Sequence, residues 1–358
     1  MANHFHPLTV KKITRETADC VSLTFDVPAS LKKEFEFKEG QNIVIKYLHQ
    51  GEEIRRSYSI CNAPHEGELK VAVKKIHGGI FSTYANEQLQ EKQTLEVMPP
   101  SGKFNAHLTT HSFPNYLAIA AGSGITPVIS IIKHTLHTKP NSRFTLLYGN
   151  QNRSSVIFFE ELEGLKNQYM DRLTIINILS REKTDAEVLY GRIDSAKLSS
   201  LQKIITYSSF NAAYLCGPEA MIFDTAAFLE NNGLEKKNIH FELFTSSAAI
   251  KKTSSLNTTE IDQGPKSQIT VRLDGRSFDF DLPFNGHNIL DAALQQGADL
   301  PYACKGGVCC TCRAKLLEGT INMDVNYALE PEEVERGFIL TCQSHPITDK
   351  VFIDFDEK

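Results

Sequence analysis

Cys304-Lys305-Gly306-Gly307-Val308-Cys309-Cys310-Thr311-Cys312, with Cys342 following after 29 further residues, sets four thiols in the order C-x4-C-x2-C…C. That spacing holds a two-iron, two-sulfide cluster. It predicts a C-terminal domain wrapped around a [2Fe–2S] centre, with Cys304, Cys309, Cys312 and Cys342 as ligands. Such a centre moves electrons singly and commits the chain to redox work. Gly306 and Gly307 let the backbone close around the sulfides and aim N–H groups at them. Phe338-Ile339-Leu340-Thr341-Cys342 reads as a strand that returns the fourth thiolate. The competing readings are a zinc site or buried structural cysteines, although zinc sites usually pair two short C-x2-C or C-x2-H clusters. Cys310 breaks the spacing and is read as a bystander.

Upstream of this segment, Thr245 to Lys266 is rich in Ser, Thr and Lys and poor in large apolar residues, so it cannot bury a core. A linker is expected over 247–266, with the cluster domain at 267–358. At 358 residues the chain exceeds the size at which one core keeps growing. A further boundary is expected near Leu108–Asn115, giving one domain over 1–110 and another over 111–246. The net charge of −5 argues against a nucleic-acid partner. From Ser267 onward there are 8 Lys and Arg against 15 Asp and Glu, whereas the rest carries 30 against 28. An acidic end on a nearly neutral body suits either electrostatic docking or a solvated face. The N-terminus shows no apolar secretory core. The longest apolar stretch, Tyr116 to Ile132, is broken by Gly122-Ser123-Gly124 and Pro127 and is too short to span a membrane. A cytoplasmic protein without a membrane partner is therefore expected. Half of the eight cysteines are absorbed by the cluster, which leaves no secreted disulfide framework.

The middle third alternates strands and helices. Tyr116-Leu117-Ala118-Ile119-Ala120-Ala121 reads as a buried strand, and Gly122-Ser123-Gly124-Ile125-Thr126-Pro127 turns it into a helix over Val128–Leu136. Further strands are expected at Phe144–Tyr148, Leu173–Leu179 and Ala212–Leu215, the last leading through Cys216-Gly217-Pro218 into a helix stopped near Gly233. Strands that end in Gly-rich turns at one sheet edge make a nucleotide crevice. The N-terminal third reads as antiparallel strands, such as Asn42–Tyr47 and Glu68–Lys74. Between these two, Arg56-Ser57-Tyr58-Ser59 places a cationic fork and a flat ring on one strand face, a pair that can hold a pyrophosphate and a ring system. Gly78-Gly79-Ile80-Phe81-Ser82 feeds a helix N-terminus, a phosphate cradle. Singly, each motif also fits a surface ion pair or an ordinary turn.

Taken in order, Arg56–Ser59, Gly78–Ser82, Gly122–Pro127 and Cys216–Met221 resemble the signatures of the ferredoxin–NADP reductase superfamily, and Cys304–Cys342 resembles plant-type ferredoxin. The domain order is similar to that of phthalate-dioxygenase-reductase-type proteins, over almost the whole chain. Leu300–Cys309, Asn326-Tyr327-Ala328-Leu329 and Gly337–Pro346 particularly resemble the reductase components of phenylacetyl-CoA epoxidases. The resemblance implies an antiparallel β-barrel flavin domain, a doubly wound α/β nicotinamide domain and a C-terminal β-grasp ferredoxin domain. It also implies FAD, a [2Fe–2S] cluster and NADPH as substrate. By that resemblance Arg56 contacts the flavin pyrophosphate, Tyr58 stacks on the flavin and Ser59 sits near its N5, while Gly79 and Ser82 complete the phosphate site. Gly122 and Gly124 let a dinucleotide backbone approach, Thr126 lies near the nicotinamide, and Cys216 lies beside the hydride path. Glu242 and Phe244 match the Glu-x-aromatic that closes the nicotinamide domain, with the aromatic over the flavin. Ser180-Arg181 resembles the pair that NADP-specific relatives place on the 2′-phosphate, and Arg153 offers a second charge.

These parts make a converter between two-electron and one-electron carriers, for which the protein supplies position and electrostatics. The expected role is a reductase feeding a separate oxygenase. The runner-up acceptors are a fatty-acid desaturase and a ring-hydroxylating dioxygenase, and the alternative of another class is a redox sensor without steady turnover. His134 and His137, like His107 and His111, have no carboxylate or cysteine beside them in sequence and read as surface histidines. Cys20 and Cys61 read as small core residues.

Overall fold

Alternating apolar residues in the N-terminal part build six antiparallel strands: β1 (His6–Thr17), β2 (Cys20–Asp26), β3 (Asn42–His49), β4 (Glu52–Ser59), β5 (Leu69–Lys74) and β6 (Thr94–Ser101). The computed structural model describes residues 4–104, 114–244, 265–284 and 286–357. The strand order is β4-β3-β6-β1-β2-β5, and a bridge from Ile60 to Val71 brings the last strand back to the first, closing a barrel. Its interior is filled by Leu8, Val10, Leu23, Ile43, Val71 and Val97, residues of alternating position whose side chains share one face of each strand. Helix α1 (Ile80–Glu87) starts at Gly79 and packs on the barrel through Phe81 and Ala85.

The apolar run at 115–121 is buried on both faces, as a central parallel strand must be. It forms β7 (Asn115–Ala121), flanked by β8 (Arg143–Asn150) with β9 (Leu173–Leu179) beyond, and by β10 (Ala212–Gly217) with β11 (Ile239–Leu243) beyond. All five strands are parallel, in the order β11-β10-β7-β8-β9. The order reverses between β7 and β10, so their C-terminal ends open the crevice where such sheets take ligands. The connections carry α2 (Ile125–Thr138), α3 (Phe159–Gln168), α4 (Ser195–Leu201) and α5 (Glu219–Asn231). Helix α2 begins three residues before the expected Val128, with Pro127 inside its first turn, where the missing N–H leaves no bond unmade. The core of this sheet runs without a break into the barrel: Cys20, Cys61 and Ala72 belong to the same buried cluster as Tyr116, Ile129 and Ile132. Phe5–Phe244 is accordingly one compact unit.

The C-terminal unit has its own core. Strands β12 (Lys266–Leu273), β13 (Arg276–Pro283), β14 (Arg313–Glu318), β16 (Phe338–Leu340) and β18 (Lys350–Asp354) form a mixed sheet in the order β13-β12-β18-β14-β16. A ribbon of β15 (Ile321–Met323) and β17 (Ser344–Pro346) stands apart from it. Helix α6 (Ile289–Gln295) lies on the core through Ile289, Leu290 and Ala293 and is capped by Asn288, whose Oδ1 accepts from the Asp291 N–H at 2.8 Å. A short α7 (Pro331–Glu335) precedes β16. The strand expected over Phe338–Cys342 stops at Leu340. Thr341 donates both its N–H, at 3.2 Å, and its hydroxyl, at 3.0 Å, to the Cys312 carbonyl, so Cys342 enters on a tight turn. Most of the expected linker, the barrel-to-sheet boundary at 110/111, His107 and His111 lie outside the described residues.

Candidate electron-transfer sites

The three residues expected at the hydride path meet where barrel and sheet join. Ser59 ends β4, and its hydroxyl donates to Glu242 Oε2 at 3.0 Å. Glu242 on β11 is in register with Cys216 on β10, which in turn pairs with Ala120 on β7. Cys216 is 0% exposed. Its burial, reinforced by the Glu242 carboxylate, holds the thiol pKa well above the ordinary value, so it stays protonated. A hydroxyl, a carboxylate and a neutral thiol therefore converge at the C-terminal edge of the sheet. Phe244 follows directly after β11 and is 42% exposed.

On the barrel, Arg56 and Tyr58 are both half-buried on β4, with Tyr58 tilted against Phe81 of α1 at 5.6 Å between ring centroids. Arg56 donates to the neighbouring Arg55 carbonyl at 2.8 Å. Gly79 caps α1, and a Cβ there would crowd the Ser82 hydroxyl and the Ile76 carbonyl, so a larger residue would displace the Ser82 side chain. Ser82 is drawn into the turn itself: its hydroxyl accepts from the Ile76 N–H at 3.2 Å and donates to the Gly79 carbonyl at 3.3 Å. The cation, the ring and a helix start that lacks a side-chain cap suit a flavin with its pyrophosphate.

On the sheet, the Gly122–Gly124 turn follows β7. Gly124 is packed directly against β10. A Cβ on it would fall 2.5 Å from the Cys216 carbonyl carbon and 2.9 Å from the Gly217 nitrogen, so its size is dictated by β10. Thr126 is buried and donates its hydroxyl to the Ser123 carbonyl at 3.0 Å, while Tyr148 donates to the Gly122 carbonyl at 3.0 Å, which stiffens the turn. The loops after β8 and β9 are laced together, Ser180 N–H to Asn150 at 2.9 Å and Arg181 N–H to Gln151 at 2.8 Å. Arg181 is exposed and has no ion-pair partner among the described residues, whereas Arg153 lies over the Phe159 ring at 4.9 Å.

In the C-terminal unit the four predicted thiols stand as two pairs. Cys309 donates to Cys304 across 3.1 Å, and Cys312 is hydrogen-bonded to Cys342. Those bonds, ahead of burial, hold the Cys304 and Cys342 pKa values below the ordinary thiol value. The Gly306 N–H points at Cys304 Sγ at 3.3 Å, and the Gln343 amide at Cys342 Sγ at 3.7 Å. Among the described residues no three His, Cys, Asp or Glu side chains gather as a single metal ion would require. Two pairs of thiols with amides aimed at them suit a two-iron cluster. Cys310 turns away and donates to the Ala328 carbonyl at 3.2 Å.

A model of the oxidoreductase FAD-binding domain matches residues 7–106, one of the oxidoreductase NAD-binding domain matches 118–227, and one of the 2Fe-2S iron-sulfur cluster binding domain matches 271–346. Over 99% of its length the chain is 46% identical to one of the subunits of the 1,2-phenylacetyl-CoA epoxidase of Escherichia coli (strain K12), and it covers 98% of that protein. The chain belongs to the flavin and [2Fe–2S] reductase family that serves oxygenases. A second relative in this reductase family, the 3-ketosteroid-9-alpha-monooxygenase ferredoxin reductase component of Rhodococcus rhodochrous, is 33% identical over 97% of the chain and 96% of its own. Phthalate dioxygenase reductase shares the reductase fold at a TM-score of 0.58 and 21% identity, with 98% of each chain covered. The barrel, doubly wound sheet and β-grasp ferredoxin domain expected from the sequence are those of the reductase family. Its members bind FAD, a nicotinamide nucleotide and a [2Fe–2S] cluster, and the chain is an NAD(P)H oxidoreductase. No described helix is long and apolar enough to cross a membrane.

The reading of His134 and His137 as surface histidines holds for His137, which is exposed, whereas His134 is half-buried beside a carboxylate. His134 lies 3.6 Å from the Glu39 carboxylate, and His137 stacks on His65 with centroids 3.8 Å apart. Both face the barrel across the seam. Lys133 beside them was not singled out from the sequence, although a lysine within the apolar run Val128–Ile132 and Leu136 is the signal that marks it. Cys20 and Cys61 are core residues, as expected, and burial pushes the Cys61 thiol up to about 12.

Proposed function

We propose that this protein is an NADPH-dependent, cytoplasmic reductase that delivers electrons to the oxygenase component of a phenylacetyl-CoA epoxidase in aerobic phenylacetate breakdown. The observation that carries the reading is the Ser59–Glu242 contact at 3.0 Å, which brings the flavin strand and the nicotinamide sheet to one point beside buried Cys216. The 46% identity to a component of such an epoxidase supports the acceptor. When bound, FAD takes up two electrons from a nicotinamide and a [2Fe–2S] cluster passes them on one at a time.

In this reading Arg56, Gly79 and Ser82 hold the flavin phosphates, and Tyr58 and Phe244 bracket its ring. Gly122, Gly124 and Thr126 seat the nicotinamide, and Phe244 yields to admit it. Ser59 and Glu242 hold a proton between hydroxyl and carboxylate at the flavin edge, and the neutral Cys216 thiol presents a polarizable surface without adding charge. Ser180 and Arg181 grip the 2′-phosphate that distinguishes NADPH from NADH. Cys304, Cys309, Cys312 and Cys342 ligate the cluster.

The test is product formation by a phenylacetyl-CoA oxygenase supplied with the holoprotein and either nucleotide. Epoxide formed faster with NADPH supports the reading. Efficient NADH use refutes the cofactor assignment. Turnover of cytochrome c without any coupled epoxidation refutes the acceptor and favours another oxygenase, as the 33% identity to a ketosteroid monooxygenase reductase component would have it.

A further inference from the structure

Besides three threonines, α2 carries the polar residues Ser130, Lys133, His134 and His137. Their i, i+3, i+4, i+7 spacing puts them on one face, and each meets a different group of the barrel. The Ser130 hydroxyl donates to the Asn62 carbonyl at 2.8 Å, and Lys133 Nζ reaches Glu66 at 2.7 Å. His134 faces Glu39 at 3.6 Å, and His137 stacks on His65 with an interplanar angle of 11°. Lys133 also donates to Glu161 of α3 at 2.6 Å, and Lys70 of β5 reaches the same carboxylate at 3.3 Å, so one side chain is gripped from both lobes. The Lys133 side chain is 5% exposed.

The rest of the seam is apolar, with Cys20, Cys61 and Ala72 in the same buried cluster as Ile129 and Ile132. Apolar attraction has no direction, so that surface alone would let the helix slide or turn. A buried ammonium between two carboxylates resists such motion, because displacement strands charges away from water. Thr126 lies seven residues before Lys133 on the same helix, about 10 Å along its axis at 1.5 Å per residue. A helix transmits a shift along its axis, so whatever fixes Lys133 against the barrel also fixes the nicotinamide turn against the flavin strand.

We propose that Lys133, assisted by Ser130, His134 and His137, is a positioning residue that sets the register of the nicotinamide turn against the flavin barrel. The inference rests on nicotinamide-to-flavin hydride transfer within Phe5–Phe244. A misplacement of about 1 Å far from the chemistry can lower a rate on the order of a hundredfold.

The experiment compares wild-type holoprotein with Lys133→Met, Lys133→Arg and the milder Ser130→Ala, measuring anaerobic flavin reduction by NADPH in a stopped-flow instrument and amide hydrogen exchange. Lys133→Met is expected to lower the limiting rate about tenfold, with the half-saturating NADPH concentration and flavin content little changed. Exchange at His65–Gly67 and along Ile129–Leu136 should accelerate while the β1–β6 ladder stays protected. Lys133→Arg should regain most of the rate. If Lys133→Met does not fold, Ser130→Ala carries the test, with a fall of about threefold expected from the loss of one neutral hydrogen bond. A wild-type limiting rate in Lys133→Met, or in Ser130→Ala where that variant carries the test, would overturn the assignment. So would a loss confined to half-saturation or to flavin content. Failure of NADPH to reduce wild-type flavin would overturn the electron-transfer reading, and this inference with it.

Discussion

Gly124→Ala separates two opposing effects on one backbone position. Gly124 has φ −61° and ψ −11°, a right-handed helical conformation that alanine adopts without strain. On backbone entropy alone the change would stabilise the protein by about 0.5–1 kcal/mol. The added methyl, however, would lie 2.5 Å from the Cys216 carbonyl carbon and 2.9 Å from the Gly217 nitrogen. Both are backbone atoms of a strand buried between β7 and β11, so no side chain can rotate away and turn or strand must move by about an ångström. Overpacking of this kind costs about 1–3 kcal/mol. The net effect is a destabilisation of about 1–2 kcal/mol, equivalent to roughly 2–8 °C in the unfolding midpoint of a unit this size. With the turn in its proposed place at the nicotinamide, the KM for NADPH should rise about tenfold or more while flavin content holds. Differential scanning calorimetry and steady-state cytochrome c reduction measure the two effects. A midpoint equal to or above wild type would refute the steric reasoning, and an unchanged KM would refute the place given to the turn.

Cys342→Ser should abolish or sharply alter the cluster's visible absorption and Cys310→Ser should leave it nearly unchanged, since the Cys310 thiol is bonded to the Ala328 carbonyl; a bleached Cys310→Ser protein would refute the ligand set. Arg181→Ala should raise the KM for NADPH about ten- to a hundredfold, the equivalent of one charge-assisted hydrogen bond, and leave that for NADH unmoved; equal losses on both would remove Arg181 from the 2′-phosphate site. Burial by itself would raise the Glu161 pKa, but Lys133 and Lys70 together outweigh it and hold the group below its ordinary 4.5. Its contribution to stability is therefore present above pH 4.5 and lost as pH falls through the lower folded value. Urea unfolding should show Glu161→Gln with a shallower acid decline than wild type, and parallel curves would show that the seam charges carry no such linkage.

Much of this architecture can be read in the chain because local pattern and global fold agree. The apolar run of β7 has no polar face to offer and so must be central, and the cysteine spacing favours a two-iron centre over a zinc site in the C-terminal loop. Sequence patterns mislead where contacts form between distant segments. Cys342 looks like the end of a strand until Thr341 is seen to bond back to the Cys312 carbonyl. His134 looks solvated because Glu39, which receives it, belongs to a different lobe. Gly124 looks like a ligand-binding glycine, and its packing against β10 shows only in three dimensions.

Cys20, Cys61 and Ala72 of the barrel lie in one buried cluster with the sheet, whereas the cluster around Ile269, Leu290 and Ile353 draws on C-terminal residues alone. That difference dictates how chimaeras should be cut. Grafting a foreign nicotinamide lobe onto this barrel would splice two half-cores whose cavities and protrusions were shaped separately, and large-to-small mismatches in a core cost about 2–5 kcal/mol each. A junction after Phe244 severs no core, so the C-terminal electron carrier can be exchanged as a cassette while the lobes from Phe5 to Phe244 travel as a single inheritance.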